Sequence, residues 1–139
     1  MKNKRYKPLV DKLFFAIWIP TSLLMIAVTV VSAFTPISLF IMITVDVFTF
    51  YFLVSSLVGY VELRENTLFA KFGFIIKREI PYGKIRGLVK ERKAYSESML
   101  SLKNSMEHIN VKYNTYDVIT VSVVNNDDFI KELERRIAK

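Results

Sequence analysis

Cysteine is absent from this chain, so disulfides, thiol nucleophiles and thiolate metal sites are excluded. Histidine occurs once, at His108, too few for a histidine metal cluster and a poor basis for a Ser-His-Asp triad. That residue is expected half exposed at the start of a strand. The four glycines are isolated, so there is no Gly-rich phosphate loop. Acids are scarce, 13 against 20 lysines and arginines, and Glu62, Glu65, Glu97 and Glu107 lack metal-ligand spacing. Ser96, Ser98, Ser101 and Ser105 lie in a polar stretch where no base is placed to activate a hydroxyl. Catalysis therefore has no support: the expectation is a non-enzyme with no cofactor and no metal.

What the chain does have is a long apolar run. Residues 13–58 are broken once, at Phe34-Thr35-Pro36, and carry one formal charge, Asp46. Each half, 13–34 and 37–58, spans about 33 Å as α-helix at about 1.5 Å per residue. That matches a hydrocarbon core of about 30 Å. Backbone crossing lipid must satisfy its own hydrogen bonds, so two such segments with so short a link predict a helical hairpin integral to the bilayer. A cleaved signal peptide fits less well, because the run is too long and a second span follows at once. Lys2, Lys4, Arg5, Lys7 and Lys12 precede the first span, basic residues predominate after the second, and the connecting loop is uncharged. The positive-inside rule then predicts a multi-pass cell-membrane protein with both termini cytoplasmic. Tyr6, Trp18 and Tyr60 read as interfacial or lipid-facing aromatics.

Asp46 is costly near the middle of a span unless it is paired or neutralised. Thr49 and Ser56 share its helical face. In an antiparallel hairpin its depth matches residues 21–24 of the first helix, where Pro20 also frees the Ala16 carbonyl. Two readings stay open. One is a protonated Asp46 hydrogen-bonded to Thr21 or Ser22, locking the hairpin. The other is an intramembrane contact with a partner helix or an inserted peptide.

Residues 59–139 suffice for one small domain. The pattern predicts strands over 60–64, 67–72, 74–80 (ended by Pro81), 85–92 (with a bulge at Gly87), 108–113 and 116–124. Residues 93–104 read as a polar loop. The period then changes. Asn125 to Asp128 offer N-cap candidates and first-turn acids, and Phe129, Ile130, Leu133 and Ile137 form one helical stripe. The fold class is α+β: a helical hairpin, then six or seven short antiparallel strands in a bent sheet or partly open barrel, closed by a C-terminal helix. Its core should include Leu63, Leu68, Phe72, Ile85, Ile109, Val111, Phe129 and Leu133.

Four segments carry a family resemblance: Tyr60-Val61-Glu62-Leu63-Arg64-Glu65-Asn66-Thr67-Leu68, Ile80-Pro81-Tyr82-Gly83-Lys84-Ile85, Ser98-Met99-Leu100-Ser101, and Asn126-Asp127-Asp128-Phe129-Ile130-Lys131-Glu132-Leu133. Through them the soluble part resembles the bacterial pleckstrin-homology (PH) domain of the YyaB-like group of small membrane proteins. The Ser-Pro usual before the last helix is Val124-Asn125 here. The resemblance implies a PH-like fold but no ligand, since fold does not fix function.

The candidate basic surface is Lys71, Lys77, Arg78, Lys84, Arg86, Lys90, Arg92 and Lys93, opposed within that stretch only by Glu79 and Glu91. A solvated strand face explains it, and so does contact with anionic headgroups. Nucleic acid fits poorly, because the charge lacks interleaved exposed aromatics. The expected role is a membrane-tethered binding module. Its candidate partners are anionic lipid headgroups, a membrane protein or a second copy of the chain. The alternative, which the resemblance allows, is self-immunity against a membrane-active bacteriocin.

Overall fold

A computed structural model describes residues 2–93, 95, 96, 98, 101, 102 and 105–139, with the side chains of Ser101 and Leu102 excepted. The expectations for Glu97, Met99, Leu100 and the Ser101 side chain lie outside these residues.

Helix α1 (Lys12–Val31) begins at Asp11, whose Oδ1 accepts from Leu13 N at 2.9 Å. A 3-10 turn over Ser32–Phe34 leads to α2 (Pro36–Val58), with Thr35 as N-cap and Pro36 in the first turn, where its missing N–H costs nothing. Including that turn, the helices cover Lys12–Phe34 and Pro36–Val58, each with mean hydropathy 2.2 and long and apolar enough to cross a membrane. They form a hairpin whose flanks present Phe15, Leu23, Leu24, Phe40, Val47 and Phe48 to the surroundings.

The hairpin rises from two four-stranded sheets. The first has the order β1-β2-β3-β4, all antiparallel: β1 (Lys4–Tyr6), β2 (Tyr60–Leu63), β3 (Thr67–Phe72) and β4 (Ile76–Pro81). The second has the order β5-β7-β8-β6: β5 (Ile85–Arg92), β6 (Ser101–Leu102), β7 (Glu107–Tyr113) and β8 (Asp117–Val121). The bulge at Gly87 appears as a register shift between Ile85 and Gly87 against β7. The Ile80-Pro81-Tyr82 segment is the corner between the sheets. Ile80 and Tyr82 are buried while Pro81 ends β4, and Tyr82 Oη donates to Arg64 O at 2.6 Å.

Helix α3 (Asn126–Ile137) is capped by Asn125, which accepts from Asp128 N at 3.2 Å. Phe129 and Leu133 on its inner face are fully buried among the strands, and all eight expected core residues are buried. Arg136 joins them as a polar anchor. Its guanidinium donates to Leu63 O, Arg64 O and Lys2 O at 3.2, 2.8 and 2.9 Å, and to Glu132 at 2.8 Å.

Three expectations change. Lys4–Tyr6 is a strand and not merely a charged flank: Lys4 pairs with Leu63 and Tyr6 with Val61. Beyond it, Leu9 N donates to Ser122 O and Val124 N to Lys7 O, both at 3.0 Å, so residues 4–9 stitch the two sheets together. Tyr6 is consequently a core residue, only 6% exposed, with its ring edge-on to Phe129 at a centroid distance of 5.2 Å. Finally, the polar stretch read as loop contains β6, which pairs parallel with β8, so the second sheet is not wholly antiparallel.

Candidate functional site

The eight basic candidates divide between the sheets. Lys71 and Lys77 are direct cross-strand partners on β3 and β4, and Arg78 pairs with Ala70 in the next row. Like charges directly opposite repel. Among the described residues, Lys71, Lys77 and Arg78 form no ion pair. The second sheet differs. Lys90 reaches Glu107 at 2.9 Å and Asp127 at 2.7 Å, and Lys93 reaches Glu91 at 3.3 Å. The hydrogen bond to Asp127, more than that to Glu107, holds the Lys90 ammonium above its usual range. Lys90 is thereby committed to bracing β5 against β7 and α3. Lys84, Arg86 and Arg92 are exposed along the corner and β5, apart from the Lys71–Lys77 pair.

The outer face of the first sheet is a stack of rings and cations. Arg5 lies over Tyr60 at 4.2 Å, Arg64 over Phe69 at 4.0 Å, and the two rings are 6.0 Å apart. This explains how Phe69 is buried on the face it shares with Lys71. Only Gly59 separates Tyr60 from α2, so the cross-strand row Tyr60–Lys71–Lys77 is the end of the sheet nearest the hairpin. The chain turns just beyond that row. Gly73 takes φ +72, and Phe74, Ile75 and Ile76 are 42, 77 and 49% exposed. The turn runs against α2: a Cβ on Gly73 would fall 1.9 Å from Ser55 Oγ, and Phe74 and Tyr51 have ring centroids 5.6 Å apart.

Asp46 finds a different partner from those expected. Thr29 Oγ1 lies 2.7 Å from Asp46 Oδ2 and 2.9 Å from Met25 O, while Oδ1 is buried with no hydrogen-bond partner among the described residues. Thr21 bonds instead to Ile17 O at 2.6 Å and Thr49 to Val45 O at 2.9 Å, each one turn back in its own helix. Ser22 faces an apolar groove lined by Phe14, Trp18 and Leu53. Side-chain direction explains the shift. Cα–Cβ bonds tilt toward each helix's N-terminus, so in an antiparallel pair Asp46 reaches toward the connecting turn while Thr29 reaches away from it. Partners therefore meet nearer the turn than counting residues from the break implies.

His108 is fully buried and not half exposed. β7 is an inner strand covered on both faces, with Ile109 and Val111 on one and His108 and Asn110 on the other. Nδ1 lies 3.0 Å from Met106 O, and Nε2 lies 3.6 Å from Glu91, beyond hydrogen-bond reach. Asn110 donates to Glu91 at 3.1 Å and accepts from Thr120 at 2.7 Å. This buried polar layer reads as structural. No group of three or more metal-ligating side chains occurs among the described residues.

Two bent sheets closed by one C-terminal amphipathic helix define a PH-like domain. Residues 59–137 match the family described as Bacterial PH domain, and the chain belongs to that family. No curated protein and no solved structure matches it.

Proposed function

We propose that the chain is an integral membrane protein with both termini in the cytoplasm, and that its PH domain is a non-enzymatic module working against the inner leaflet, where it contacts anionic lipid headgroups. Arg78, opposite the buried Ala70, projects from the other face of the sheet, so the observation that carries this reading is the position of Lys71 and Lys77. They lie without acidic partners at the end of the first sheet from which α2 departs. A leaflet rich in anionic lipid attracts each such cation by about 1 kcal/mol. The pairing of β1 with β2 supports the topology, because it brings both ends of the hairpin to one sheet, and the basic residues lie on that side. No observation favours bacteriocin immunity over this role.

Two measurements test it. The chain lacks cysteine, so single cysteines can report sidedness. Cysteine replacing Thr35 should label from outside intact cells and cysteine replacing Asn126 should not; the reverse pattern refutes the topology. In nanodiscs mixing phosphatidylglycerol with phosphatidylcholine, lipid retained by the full chain should be enriched in phosphatidylglycerol. Lys71→Gln and Lys77→Gln together should erase most of that enrichment. Equal retention by parent and variant would leave a protein partner as the surviving role for this surface.

A further inference from the structure

The β3–β4 turn has an arrangement that a solvated hairpin would not need. Its tip is apolar and open: Phe74, Ile75 and Ile76 are exposed, with Ile75 at 77%. Soluble turns favour Gly, Asn, Asp and Ser. Only Gly73 here belongs to that set, and three large apolar residues follow it.

The turn is also held at a definite depth. α2 ends at Val58, and the apolar span runs to that residue. Gly73 abuts Ser55, three residues inside the helix end, and Phe74 rests on Tyr51, seven residues inside it. Seven residues correspond to about 10 Å along the axis. The turn thus descends past the end of the helix and lies beside residues that belong to the apolar span. Gly73 permits this: its positive φ makes the turn, and its missing Cβ lets the backbone lie against Ser55.

The order of chemistry along the hairpin matches a leaflet read from water inward. The cross-strand Lys71–Lys77 pair comes first, then Phe72 opposite Ile76, then Phe74 and Ile75 at the tip. Cations suit the phosphate layer. An apolar tip suits the headgroup–acyl boundary, where amphipathic elements bury about 5–10 Å of their depth. Tyr51, on which Phe74 rests, is the kind of residue that marks this boundary on a spanning helix.

We infer that the β3–β4 turn is a wedge immersed in the same leaflet that α2 enters, with Phe74, Ile75 and Ile76 in contact with lipid. Its occupant is the bilayer itself, because the face is continuous with the lipid-facing side of α2. The inference rests on the integral-membrane reading above and adds a third point of insertion besides the two helices. The PH domain is then seated in the surface rather than suspended over it.

The lone tryptophan, Trp18 in α1, makes the two ideas separable. The full chain is reconstituted into vesicles of phosphatidylethanolamine and phosphatidylglycerol, with or without lipid brominated high on the acyl chain. Wild-type Trp18 reports whether the hairpin is embedded. Trp18→Phe with Ile75→Trp reports on the turn. Trp18→Phe with Tyr116→Trp is the control: Tyr116 is 92% exposed beyond Tyr113, which pairs with Ile85 after the far end of β4. Both new tryptophans replace exposed side chains, so the fold is retained. The expected result is loss of most fluorescence for wild type and for Ile75→Trp, with blue-shifted emission for the latter and no loss for Tyr116→Trp. Quenching of Trp18 without quenching of Ile75→Trp overturns the wedge and leaves the embedded hairpin standing. Absence of quenching at Trp18 overturns the integral-membrane reading and the wedge with it.

Discussion

Replacing Tyr6 tests whether the strand that precedes the hairpin is part of the domain's foundation. The ring is 6% exposed, edge-on to Phe129, and its hydroxyl donates to Asp128 at 2.8 Å. Burial of a ring this size stabilises by about 2–3 kcal/mol. The edge-to-face contact adds about 0.5–1.5 kcal/mol. The hydroxyl adds about 1 kcal/mol at most, since Asp128 is partly solvated. Tyr6→Ala should therefore cost about 4 kcal/mol and Tyr6→Phe about 1 kcal/mol or less. For a domain of this size each kcal/mol moves the melting temperature by about 4–8 °C, so the alanine variant should melt roughly 15–30 °C lower. Pulse proteolysis of the full chain in detergent micelles across a temperature series reads the PH domain without interference from the micelle-bound helices. Tyr116→Ala, at the exposed far turn, is the control and should stay within about 0.5 kcal/mol of the parent. A Tyr6→Ala midpoint equal to that control would show that β1 frays from β2 and that Phe129 is held without it.

Other outcomes follow from the same geometry. Burial, reinforced by the hydrogen bond to Asp128, pushes the Tyr6 phenol up to about 12, against about 10 when unfolded. A raised folded value means this stabilisation is complete below pH 10 and is lost as pH climbs from 10 to 12, so Tyr6→Phe should melt with a shallower alkaline decline than the parent. The bond from Lys4, then that from Tyr6, holds Asp128 below the usual carboxylate range, so its contribution should fade as pH falls below that range; Asp128→Asn should flatten the acid limb of the melting curve. Gly73→Ala should cost more than the roughly 1–2 kcal/mol of a left-handed alanine, because its Cβ would also collide with Ser55, and a melting point unchanged from the parent would show that the turn does not rest on α2. Thr29→Val should weaken helix association by about 0.6–1.7 kcal/mol in a steric-trap measurement while Thr21→Val leaves it unchanged; equal effects would refute the Asp46–Thr29 pairing.

The two long apolar helices were legible because length and hydropathy alone mark them, and the strands from Tyr60 onward because period-two alternation survives in β3 and β7. The stripe of α3 and its Asn125 cap were equally local signals. What escaped was set by distant closure. Lys4-Arg5-Tyr6 carries the charge of a membrane flank, and only the return of the chain after α2 supplies β2 as its partner. Lys90 looked free because its two carboxylates come from β7 and α3. His108 looked half exposed because burial of an inner strand on both faces depends on what covers each face, which alternation does not reveal. Asp46 was placed against Thr21 or Ser22 by counting residues, which ignores the direction in which antiparallel side chains lean.

The stitching of residues 4–9 to both sheets has a consequence for biogenesis. On the ribosome the domain's first strand is made before either helix, and the rest of its sheets only after both. On the proposed integral-membrane topology, residues 4–6 must therefore wait, without a partner, while the hairpin is inserted. They can pair with β2 only if the chain has crossed the bilayer an even number of times between them. A hairpin inserted with one span missing would strand β1 on the wrong side. Tyr6 would then be missing from the core, and Arg136 would lose the Lys2 carbonyl it binds. With that topology, completion of the fold would report correct insertion, and a mis-threaded chain would expose an incomplete domain to cellular proteolysis.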